Sequence, residues 1–163
     1  MKKFLFISSL IFCFLVSTDL HAQQFKSAVG LRLGSPTSVS LKTHLNESNA
    51  LELMAGGRWY SGYSWYNLGA AYQIHKPLNI EGVEGLEYYF GAGASVYFWS
   101  FDFASDASST TLGVQGYLGA QYTFKDTPIS ITVDWVPTIF INSYLTGFGG
   151  GYGGLGVRYV FKK

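Results

Sequence analysis

The chain has 163 residues, of which only 13% are charged and 18% aromatic, with 20 glycines and a formal net charge of +1. So near-neutral a balance supplies no electrostatic footprint for a nucleic-acid partner, and a single cysteine, Cys13, permits no internal disulfide. After the first apolar run no segment is long enough to cross a membrane as a helix, so membrane residence would require a barrel of strands.

Residues 1–22 have the layout of a cleaved secretory signal peptide: Lys2 and Lys3, an apolar run over 4–16, then a polar patch ending at Ala22. The apolar run is about 13 residues, against roughly 20 for a spanning helix. Export through the Sec pathway is expected, and Cys13 leaves with the signal. Lys2, Lys3 and Asp19 leave too, which brings the remainder, 23–163, to formal neutrality. That remainder is one domain by length.

Eight stretches with a period of two follow, over 25–34, 38–45, 50–60, 65–75, 86–99, 112–124, 129–140 and 152–161. In the sixth, Leu112, Val114, Leu118, Ala120, Tyr122 and Phe124 alternate with Gly113, Gln115, Tyr117, Gly119, Gln121 and Thr123. Alternation predicts strands, whose successive side chains point to opposite faces. Soluble strands usually run about 5 or 6 residues; a tilted membrane-crossing strand needs roughly 9–11. Short turns are expected at 35–37, 46–49 and 125–128, with longer connections at 76–85, 100–110 and 141–151. Pro137 cannot donate to a ladder, so the outer end of the seventh strand should be irregular.

The two faces decide the environment. One carries leucine, valine and aromatic residues and no charge. The other holds Gly30, Gly56, Gly69, Gly91, Gly93, Gly113, Gly119, Gly154 and Gly156 among a few large polar side chains. As a water-exposed surface the second face is poor. As the lining of a narrow lumen it makes sense, because glycines leave room for Arg32, Arg58, Tyr97, Tyr117 and Arg158. Aromatics near the strand ends, among them Trp59, Trp65, Tyr66, Phe98 and Trp135 at one end and Tyr72, Tyr88, Tyr122, Tyr159 and Phe161 at the other, suggest two interfacial girdles. The expected fold is therefore all-β, an eight-stranded antiparallel up-and-down transmembrane β-barrel, with both chain ends periplasmic and the longest loops outside.

The chain resembles the small eight-stranded outer-membrane barrels of Gram-negative bacteria, of the OmpA-barrel and OmpX type, over residues 23–163. The last strand carries most of that likeness: Leu155, Val157, Tyr159 and Phe161 alternate and end on an aromatic, which resembles the C-terminal signal read by the barrel-assembly machinery. Two lysines follow Phe161, where the family often stops. No peptidoglycan-binding domain is expected after the barrel. The resemblance implies an outer-membrane location, contact with membrane lipid and lipopolysaccharide, and assembly-machinery and periplasmic-chaperone partners during biogenesis, with a monomer as the expected state.

Chemical motifs are scarce. Gly149, Gly151 and Gly154 satisfy a dinucleotide-type glycine spacing, but the chain ends before the helix and acidic residue such a site needs. His44 and His75 are the only histidines after residue 22, and both fall at periplasmic strand ends. Lipid A-modifying enzymes of this fold are expected to place a histidine and a serine near the outer leaflet, so that reading is remote; no enzyme activity, cofactor or metal is expected. The informative set is the lumen charges: Lys26, Lys42, Glu52, Glu87 and Arg158 low in the barrel, Asp134 near the middle, and Arg32 and Arg58 above it. An eight-stranded barrel is only just wide enough for side chains to fill, and buried charges persist when paired. Glu52 should pair with Lys42 or His44, and Asp134 with Arg32, Arg58 or Arg158. The expected function is non-enzymatic, in envelope structure or surface attachment with a plugged lumen. The alternative is a narrow channel for ions or very small solutes.

Overall fold

The computed structural model describes residues 26–78, 80, 83–101, 108–141 and 147–161. The expected signal peptide, Phe25, and the centres of the 100–110 and 141–151 loops lie outside the described residues. Among those described are ten strands: β1 (Ser27–Ser35), β2 (Thr37–His44), β3 (Asn49–Tyr60), β4 (Tyr63–Pro77), β5 (Leu86–Phe101), β6 (Ser108–Thr123), β7 (Ile129–Trp135), β8 (Thr138–Ile141), β9 (Gly147–Gly149) and β10 (Gly153–Phe161). Antiparallel pairing runs from β1 through β7 in order, then to β10, and β10 returns to β1. The sheet closes on itself. β7 with β8, and β9 with β10, each make one wall strand, so the barrel has eight.

The break at 136–137 follows from Pro137, which has no N–H to give. Its carbonyl still accepts from the Gly116 N–H at 2.9 Å. On the β6 side the register runs through unbroken, Leu118 opposite Trp135 and Gln115 opposite Thr138. On the other side it slips. Trp135 faces Gly153, but Thr138 faces Gly149, so residues 150–152 stand against 136–137. That is a bulge, which re-aims side chains and increases local twist. Gly153, at φ 134°, takes a backbone conformation that a Cβ would strain. Tyr152, whose carbonyl accepts from the Val136 N–H at 2.9 Å, keeps the inward parity of Gly154, and the bulge sends Phe148 outward.

The ends of the strands depart from the alternation in a consistent way. β5 and β6 reach Phe101 and Ser108, beyond the expected 99 and 112. Ser108–Thr111 is polar throughout, so hydrophobic alternation does not reveal it, although threonine suits a strand. β4 likewise begins at Tyr63 and ends at Pro77. We call the end where Ser27 pairs with Phe161 the terminal end, and the opposite one the loop end. At the terminal end Asn46 Oδ1 accepts from the N–H groups of Ser48 and Asn49, at 3.0 and 2.8 Å, which closes the β2–β3 turn. At the loop end the rim is lowest at Ser35–Thr37 and rises along β5, β6 and β8.

Polarity is inverted relative to a water-soluble barrel. Leu31, Leu118 and Val133 are 55%, 54% and 58% exposed, whereas Lys42, Glu52 and Arg158 are fully buried. Glycine makes the inward packing possible. A Cβ at Gly30 would lie 2.8 Å from Arg158 Cγ, and one at Gly119 would lie 2.7 Å from Tyr89 Cζ. Trp65 corrects the girdle expectation: it is buried in the lumen, because it has the opposite parity to its outward neighbour Tyr66.

Candidate functional site

The lumen is filled in layers. In the middle layer β2, β3 and β10 bring Lys42, Glu52 and Arg158 together. Lys42 stands directly opposite Glu52 in the β2–β3 ladder, with Lys42 Nζ 3.5 Å from the carboxylate. Arg158 Nη2 donates to the other Glu52 oxygen, and Gln73 Nε2 donates to Glu52 at 2.8 Å. The rest of the Arg158 fork is used as well: Nε donates to Ser40 Oγ at 2.9 Å and Nη1 to Thr132 Oγ1 at 2.8 Å. This five-donor group is thereby held from three other strands, the geometry for which arginine is suited.

Beside it, Arg32 Nη2 donates to Asp134, and the second Asp134 oxygen accepts from the Tyr89 hydroxyl at 2.8 Å. Arg32 Nη1 also lies 3.0 Å from Met54 Sδ. Lys42 Nζ sits 4.4 Å from the centre of the Tyr89 ring, which links the two clusters. Arg58 stands apart from Asp134. It is partly exposed at the loop end, with its guanidinium 4.9 Å from the Tyr60 ring centre. Lys26 is likewise partly exposed, at the terminal rim.

Above the charges, Gln115 gathers four neighbours. Its oxygen accepts from Ser95 at 2.7 Å and Tyr117 at 3.0 Å, and its nitrogen donates to Tyr97 at 3.1 Å and Thr138 at 3.5 Å. Higher still, Trp65, Tyr97, Trp99 and Phe140 form a buried aromatic cluster against which Tyr63 and Tyr152 pack. Trp99 Nε1 donates to Thr111 at 3.1 Å. Tyr152 reaches this cluster on the inward parity that it shares with Gly154 and Gly156. Between Arg32, Met54, Asn67, Gln115 and Tyr117 a cavity of about 10 Å³ remains, the space of about one water.

At the terminal end the lowest layer holds His44, His75 and Glu87. His75 Nδ1 and Glu87 Oε2 are 3.0 Å apart, and Gln121 Nε2 donates to the same oxygen at 3.4 Å. The two imidazole rings approach to 4.9 Å. Sequence reasoning expected no such grouping, since the three residues lie on β2, β4 and β5. Their common inward parity and common height were the signal available. The residues of the last strand, Leu155, Val157, Tyr159 and Phe161, line the outer wall beside β1.

Among solved structures the chain is similar to Neisserial surface protein A, with 16% identity, 83% of this chain and 93% of that one covered, and a TM-score of 0.56. It is also similar to the N-terminal β-barrel domain of Pseudomonas aeruginosa OprF, with 17% identity, coverage of 85% and 100%, and a TM-score of 0.62. The fold is that of the eight-stranded outer-membrane barrels. No protein-family model and no curated protein sequence matches. At this identity the likeness speaks for the fold alone. What the barrel does has to be argued from its own lumen and surface.

Proposed function

We propose that this is a non-enzymatic integral protein of the outer membrane whose lumen is closed, and which serves envelope structure or surface attachment through its wall and outer loops. The observation that carries this reading is the filled lumen: two linked charge clusters below, an aromatic cluster above, and room for about one water between them. The outward leucine, valine and aromatic face fits contact with membrane lipid and lipopolysaccharide. The terminal end would then face the periplasm, with Leu155, Val157, Tyr159 and Phe161 read by the assembly machinery. Conduction would require the middle-layer ion pairs to part, and each such pair is costly to break inside a low-dielectric interior.

Purified protein reconstituted in planar bilayers should show no discrete conductance above the lipid background. Reproducible single-channel steps would replace this reading with a narrow channel for ions or very small solutes.

A further inference from the structure

Three donors of metal-binding type meet at the terminal mouth of the barrel. One ring nitrogen each from His44 and His75 and a carboxylate oxygen of Glu87 all lie within 4.8 Å of one another. We propose that these three residues form a binding site for a divalent transition-metal ion, with Zn²⁺ as the cation it fits. Two imidazoles and one carboxylate make a donor set Zn²⁺ accepts, with bonds of roughly 2.0–2.2 Å and donor separations of roughly 3.3 Å in a tetrahedron. His75 and Glu87 are already at 3.0 Å, and a His44 ring nitrogen lies within 4.8 Å of both.

The fold explains why the histidines can meet. They sit on β2 and β4, with β3 between them. The β3 residue opposite His44 is Ala50, whose methyl group lets both rings reach across. His75 is fixed from one side by stacking on Tyr89, ring centres 4.9 Å apart. It is also held by its Nδ1 contact with Glu87. Its Nε2 is buried and makes no hydrogen bond, which is unusual for a buried polar atom. A metal on Nε2 would satisfy it while Glu87 orients the ring, as carboxylates do for metal-bound imidazoles. A metal on Nδ1 would take Glu87 as a direct ligand. The nearest buried cation, Lys42, is engaged one layer up by Glu52 and by Gln121 Oε1 at 3.3 Å. His44 and Glu87 keep slight exposure at the mouth, which leaves the ion a way in and the fourth coordination position open to water.

The test uses full-length protein without a polyhistidine tag, carrying His21→Gln throughout so that His44 and His75 are its only imidazoles. Refolded in detergent, it should bind one equivalent of Zn²⁺ in competition with a chromophoric indicator, and the ion should raise its unfolding temperature reversibly with chelator. H44Q/H75Q should bind none, and E87Q should bind at least tenfold more weakly. Absence of stoichiometric binding, or equal binding by the double variant, overturns the proposal. Should the double variant fail to give the folded gel band, Co²⁺ absorption of the parent decides: bands of a nitrogen-ligated, low-coordinate site support it, and the spectrum of the hydrated ion alone overturns it.

Discussion

Asp134 shows how the interior works at the scale of a residue. Its carboxylate is buried and bonded to Arg32 and Tyr89, so Asp134→Asn leaves the guanidinium without its counter-charge. Losing one partner of a buried pair costs about 3–5 kcal/mol, whereas replacing both can be nearly neutral. D134N should therefore lower the urea midpoint of vesicle-embedded barrel strongly, and D134N with Arg32→Met should recover a large part of that loss. Simple additivity of the two changes would mean that the pair is not coupled. The Lys42–Glu52 apposition was readable beforehand, because a short turn fixes which residues face each other across β2 and β3. The choice of Arg32 over Arg58 and Arg158 for Asp134 was not. It depends on tilt and shear around the closed wall, which no local pattern encodes. The His44–His75–Glu87 grouping was hidden for the same reason, since it skips a strand.

At the scale of an element, strand existence follows from period-two alternation, and all eight wall strands occupy the predicted stretches. Their heights did not follow, because alternation in hydrophobicity stops where the outer environment stops being apolar, while the ladder of β5 and β6 continues. The face assignment has a direct test. Leu118 points outward at 54% exposure and its neighbour in sequence, Tyr117, points inward at 4%. Leu118→Arg should cost about 2–4 kcal/mol if this position lies near the bilayer midplane, measured by folding equilibrium in lipid vesicles. Val133→Arg, on the same face, should behave alike. A cost near zero at both would reverse the faces. The bulge at 150–152 is the feature sequence periodicity misreads most, since one extra residue changes parity: Tyr152 keeps the inward parity of Gly154, whereas Phe148, also even-numbered, faces outward at 70% exposure. Tyr152→Ala should open the packing around the Trp65 and Trp99 rings. Tryptophan emission would shift to longer wavelength as water gains access.

At the scale of the whole molecule, the charged and aromatic layers do the job a hydrophobic core does in a soluble domain, and the membrane takes the apolar side. Heat-modifiable migration in a detergent gel should therefore report the closed state. Deleting residues 153–161 should abolish the folded band altogether, because β1 and β7 would both be left with bare edges. A shortened chain that still gave the fast-migrating band would mean that β1 and β7 can close a seven-stranded wall.

The pairing of β1 with β10 also sets a schedule. Ser27 waits for Phe161, and at translation speeds of about 5–20 residues per second that wait is on the order of ten seconds. Throughout it the first strand is a hook with no eye, open to any neighbouring chain that offers a matching edge. A clasp fastened by its last link cannot be tested halfway. Closure therefore cannot begin until the last strand has been made.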